Sequence, residues 1–180
     1  MKQIIVLFAF IFSIPALSGP LTMEQEAFLT FESLCITNSE HLERIPQLLN
    51  FGRTIEVEKN QAKEMLAPHT GRAFVMKGES ANLLIMLTDA PSCLLYAKDA
   101  DGTTTENLFR EHSRNQLLTR ETVGSELHST YAVSYPADAG VIHALVFVDR
   151  PDVIGVSGIS FGLASEQFLR AHGLKTPTWP

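Results

Sequence analysis

Near residue 68 the apolar residues of this chain change their period, and that change limits the folds open to it. Before it, Phe28, Phe31, Leu34 and Cys35 recur at helical spacing. After it, Ala73-Phe74-Val75-Met76 and Leu83-Leu84-Ile85-Met86-Leu87 come as short apolar runs, bounded by Gly78 and by Asp89-Ala90-Pro91-Ser92. Runs of that length between turn residues suit buried strands. The first helix opens on a capping box, with Thr22 as N-cap and Gln25 at the third helical position. It carries Cys35 on its buried stripe, close to its C-terminal end. Asn38 and Ser39 are expected to cap a second short helix through Leu42, Ile45, Leu48 and Leu49, begun afresh or kinked at Pro46. Residues 59–67 read as a third, stopped by Pro68.

The strand region then continues as hairpins. Pro91 presets φ in a turn that Asp89 or Ser92 can brace, and Cys93 to Ala97 returns as the partner strand. Thr103 and Glu106 form a second capping box, opening a helix through Leu108, Phe109, His112 and Leu117. Residues 118–128 show no clear period. Tyr131 to Tyr135 alternates, Pro136 to Gly140 turns, and Val141 to Val148 returns; Asp152 to Phe161 reads as the last strand. Ser165 caps a final helix, Glu166 to His172, with Gly173 and Leu174 placed for a Schellman ending. Helices first, then hairpins interrupted by one helix, define an α+β class: an antiparallel sheet with helices packed on one face. No internal repeat is visible in the sequence.

Residues 1–18 have the layout of a secretory signal peptide. Lys2 precedes an uncharged apolar stretch from Ile4 to Ile14, Pro15 breaks it, and Ala16-Leu17-Ser18 supplies small residues for cleavage before Gly19. A spanning helix needs about 20 apolar residues, more than Ile4 to Leu17 provides. The expected organisation is therefore a signal peptide, 1–18, and a single exported domain, 19–180, periplasmic or secreted. Loss of Lys2 moves the formal net charge from −6 to −7. That balance argues against phosphate-backbone binding and against attachment to anionic lipid.

An exported chain with two cysteines invites one disulfide, Cys35 to Cys93. Closing that loop removes unfolded-chain entropy equivalent to about 4 kcal/mol. The alternative is a reactive thiol, which needs an electropositive setting. Around Cys93 stand Asp89, Ser92, Leu94 and Leu95, which offer no cation.

Three further motifs bear on chemistry. Gly158-Ile-Ser160-Phe-Gly162 is a literal G-x-S-x-G after an apolar strand and before a helix, the context of a hydrolase nucleophile elbow. Its partners would have to be Glu166 and His172, on one short helix, where they cannot converge on Ser160 with the histidine oriented by the acid. Asp99 and Asp101 before Gly102 hint at a calcium loop, but an EF-hand alignment puts Ala97 and Leu108 where principal ligands belong. The six histidines form no zinc spacing. If the 131–148 hairpin turns tightly, His143 faces Val133 and shares one aromatic face with Tyr131 and Tyr135. That face is a candidate binding surface, and a hydrogen-bonded histidine at a core edge is its bland counterpart.

The order of a helix cysteine, Gly71-Arg-Ala-Phe74, Leu83-Leu-Ile-Met-Leu-Thr-Asp89, a second cysteine and a polar loop before a helix resembles a family of small uncharacterised exported proteobacterial proteins. The resemblance spans residues 28–162. It implies a periplasmic or secreted single domain with a cysteine pair, and no particular activity. The functional expectation is an exported, non-catalytic binding protein, of the inhibitor or immunity type or an envelope partner, with a protein partner and no cofactor or metal. The alternative is a small hydrolase or cysteine enzyme using Cys93 or Ser160.

Overall fold

The computed structural model describes residues 19–175 apart from 50–52, 90–91, 113, 135–142, 154–155 and 172; the side chains of 112, 114, 150–153, 156–161 and 163–168 are also outside the description. The expected signal peptide, 1–18, and Tyr135 therefore lie outside the described residues. Among the described residues, no helix is long and apolar enough to cross a membrane.

The first described element is helix α1, Met23–Phe31, closed at its head by the capping box expected from Thr22 and Gln25. It runs on into a π turn, Glu32–Ile36, which carries Cys35. The next segment departs from expectation. Instead of capping a helix, Asn38 donates its amide back to the Leu34 carbonyl at 2.9 Å. A 3₁₀ turn, Leu42–Arg44, then leads into a single helical turn, α2, Ile45–Leu49. Pro46 sits in the first turn of α2, where it lacks no hydrogen bond the helix would make.

Among the described residues eight strands follow, with helices between some of them. They are β1 (Thr54–Glu56), β2 (Gly71–Lys77), β3 (Asn82–Thr88) and β4 (Ser92–Lys98), then β5 (Arg114–Val123), β6 (Glu126–Ser134), β7 (His143–Val153) and β8 (Val156–Ser165). Helix α3, Lys59–Leu66, joins β1 to β2; α4, Gly102–His112, joins β4 to β5; α5, Glu166–Ala171, follows β8. All eight strands form one sheet in the order β1-β2-β3-β4-β8-β7-β6-β5, antiparallel throughout. The order has the same form from either edge. Two four-stranded meanders, β1–β4 and β5–β8, meet where β4 lies against β8. The repeat is one of topology, which is why the sequence does not display it.

The expected α+β class is what forms, and the main core lies between the sheet and α1 and α4. Phe28, Phe31, Phe74, Phe109, Phe147 and Tyr131 fill it, each at most 2% exposed. Each such side chain contributes about 2–3 kcal/mol by leaving water. The alternation of each strand sends its other residues to the opposite face. There Ala62 and Leu66 of α3 pack on Ala73, while Leu169 of α5 packs on Ala132 and Ala144. Small residues on the strands let these two short helices sit close, so helices occupy both faces rather than one.

Hairpin β5–β6 occupies the stretch without a clear period. Helix α4 ends at His112, so Leu117 belongs to β5, turned by Gly124 and Ser125 into β6. An edge strand wet on much of its surface has no need of apolar alternation, and Leu117 and Val123 are 43% and 52% exposed. Strand β7 extends through Asp152, the residue expected to open the last strand. The final helix ends as expected. Gly173, at φ 69°, donates to the Arg170 carbonyl and Leu174 to the Leu169 carbonyl at 2.9 Å, the Schellman pattern.

Candidate functional site

Cys35 and Cys93 are joined by a disulfide, with Cα atoms 5.6 Å apart, and both are fully buried. The π turn after α1 aims Cys35 at the sheet, where Cys93 is the second residue of β4 and pairs in register with Leu87. The bond thus fixes the start of segment 37–46 to one end of β3 and β4. It also leaves Cys93 without the free thiol that the cysteine-enzyme alternative requires.

The predicted aromatic face is built in the expected register, Val133 opposite His143 and Tyr131 opposite Leu145. It is the core face, however. Tyr131 is 2% exposed and meets Phe109 of α4 edge-on, ring centroids 5.0 Å apart; His143 is 6% exposed. The Tyr131 hydroxyl reaches a charged cluster at the edge of this face. It donates to Glu106 Oε1, which also accepts from Arg120 Nη2, and Arg120 Nε donates to Ser129 Oγ at 3.1 Å. Burial, reinforced by the hydrogen bond to Glu106 and its charge, pushes the Tyr131 phenol up to about 12. The cluster locks α4 to β5 and β6. Burial, then the charges of Asp101 and Glu106, raise the nearby Asp149 carboxyl.

The other motifs are accounted for by the fold. Asp101, not Thr103, caps α4: its Oδ1 accepts from the Thr104 N–H at 2.8 Å, and hydrogen bonds from Thr104 lower its pKa. Glu106 is thereby free to reach Tyr131. Asp99 stands at φ 62° in the turn before α4. Among the described residues, no group of three or more His, Cys, Asp or Glu is arranged to hold a metal ion. Gly158 to Gly162 lies wholly inside β8, with Ser160 opposite Tyr96 on one side and Val148 on the other. An elbow needs a sharp strand-to-helix turn at the serine, and here the strand runs on to Ser165.

What sequence reasoning missed is a groove at the end of the sheet beside the disulfide. Its volume is about 490 Å³, within the range of about 300–1,000 Å³ usual for binding sites. Leu42 and Pro46 of the folded-over segment and Leu87 of β3 give it an apolar lining. Glu40, Glu43, Asp89 and Arg72 give it a charged rim. Asp89 is held in place by the Thr70 hydroxyl, which donates to it at 2.7 Å, and His69 Nδ1 lies 3.9 Å away. These residues come from three separate stretches, and no local pattern could have joined them. A shallower depression of about 580 Å³ lies along α1 and includes Leu21, Leu29 and Thr37; its lining comes from a single stretch of chain. Set against family models, curated proteins and solved structures, the chain finds no match.

Proposed function

We propose that this is an exported, non-catalytic binding protein of an oxidising compartment, acting on a protein partner in the cell envelope through the groove at the end of the sheet. The observation that carries the reading is the groove itself: an apolar lining with a charged rim, next to a buried disulfide. Export is supported by that disulfide, a bond that persists outside the reducing cytosol, together with the signal-like layout of residues 1–18. With Tyr131 and His143 filling the core face, the partner surface is assigned to the groove instead. The enzymatic alternative loses the Cys93 thiol to the disulfide and draws no support from the strand setting of Ser160.

The test is site-specific photo-crosslinking in cells that export the protein. A photoreactive residue replaces Leu42 in the groove or, as a control, exposed Lys63 on α3. A discrete protein adduct from position 42 and none from position 63 is the expected outcome. Adducts of equal yield from both positions, or none from 42, would refute the assignment.

A further inference from the structure

We propose that the partner segment seated in this groove is cationic: a Lys or Arg side chain flanked by apolar residues. The inference rests on the reading that the groove is the partner site, and it adds the chemistry of what enters. The rim carries three carboxylates, Glu40, Glu43 and Asp89, against one guanidinium, Arg72. That guanidinium is already engaged. Arg72 makes a two-pronged ion pair with Glu56, both bonds at 2.7 Å, and its charge lies over the Phe74 ring at 5.1 Å.

Among the described residues, Glu40 has no ion-pair or hydrogen-bond partner, and Glu43 meets only His41, at 3.3 Å. Both are exposed. The groove therefore offers uncompensated negative charge above an apolar lining. The chain as a whole is acidic, with a formal charge of −6, which adds a long-range pull in the same direction. An apolar lining below and carboxylates above match the stem and head of a long basic side chain. A chain segment brings such a head with apolar neighbours for Leu42, Pro46 and Leu87; a free amine brings only the charge.

The experiment selects a displayed random heptapeptide library against the full, disulfide-bonded protein. It does so in parallel against a Glu40→Lys/Glu43→Lys variant, a milder Glu40→Gln/Glu43→Gln variant, and Leu42→Asp. Circular dichroism verifies that each variant is folded. A selected peptide is then measured by fluorescence anisotropy at low and high salt. The expected result is enrichment of Lys and Arg against the wild type. Affinity should fall by about tenfold in the charge-reversed variant, less in the Gln variant, and weaken with salt.

Peptides that depend on Leu42 but show no preference for Lys or Arg overturn the cationic inference and leave the groove as the partner site. Peptides insensitive to every groove variant, or no selected peptides at all, overturn both. Competition by free arginine at the affinity of the peptide overturns the assignment to a chain segment.

Discussion

Glu26, in the first turn of α1, reaches across the molecule to the turn between β2 and β3. Its two oxygens accept from three backbone N–H groups in a row, those of Glu79 at 2.8 Å, Ser80 at 2.6 Å and Ala81 at 2.8 Å. The approach requires a glycine at Gly78, where a Cβ would lie 2.2 Å from Glu26 Oε1. Replacing Glu26 by Ala removes one acceptor from all three donors. Hydrogen bonds to a charged group contribute about 1.5–3 kcal/mol each, but these donors share one carboxylate and water can reach them. The expected loss is about 3 kcal/mol in total, or a fall in Tm of about 6–12 °C for a chain of this size. Glu26→Gln keeps one acceptor and should lose about half as much.

The pH dependence supplies a second readout of the same clamp. Burial raises the Glu26 carboxyl, but the three N–H donors and the Arg53 charge outweigh it and hold its pKa below the ordinary value of 4.5. A carboxyl lowered on folding stabilises the fold above its unfolded pKa, and that contribution fades as pH falls through the folded one. Urea unfolding followed by circular dichroism at pH 7 should therefore separate wild type from Glu26→Gln, and the gap should narrow progressively as the pH falls below 4.5. Equal stability at pH 7, or a gap that persists unchanged in acid, would refute the clamp.

Other outcomes follow from the same geometry. The Cys35→Ser/Cys93→Ser variant should lose about 4 kcal/mol in denaturant, as loop closure over this separation implies, and native protein should take up thiol label only after reduction. Tyr131→Phe should cost about 1–2 kcal/mol, since Glu106 loses a buried donor. In the wild type, the absorbance of ionised Tyr131 should appear only near pH 12, as its burial and Glu106 dictate. Ser160→Ala should leave any slow hydrolysis of p-nitrophenyl acetate unchanged, because no elbow forms in β8.

The sheet's hairpins and the fastening of Cys35 to Cys93 were legible because each rests on a local signal. The runs at 73–76 and 83–87 are long enough for buried strands, and Thr22 and Gln25 cap the helix that carries Cys35. Strand β5 was illegible for the opposite reason: at the edge it is wet, so Arg114 to Val123 can be polar and still pair along β6. The second capping box misled because Thr103 and Glu106 have the right spacing, while the stronger local acceptor, Asp101, took the cap two residues earlier. The aromatic face at Tyr131 and His143 was correct in register, yet register cannot tell which face α4 covers. The groove and the Glu26 clamp join residues far apart in the chain, and the information that sets them is the packing itself.

The palindromic order of the sheet bears on how the molecule comes into being. Within each half, sheet neighbours are also neighbours in sequence; among the described strands, only the seam of β4 and β8, where Cys93 lies opposite Leu163, pairs strands remote along the chain. Local pairings close quickly and remote ones slowly. Both sulfurs belong to the first half, so their oxidation asks nothing of residues beyond Lys98. We expect the bond to form ahead of the second meander. Thiol trapping of arrested chains would find both thiols still free if the seam had to close first.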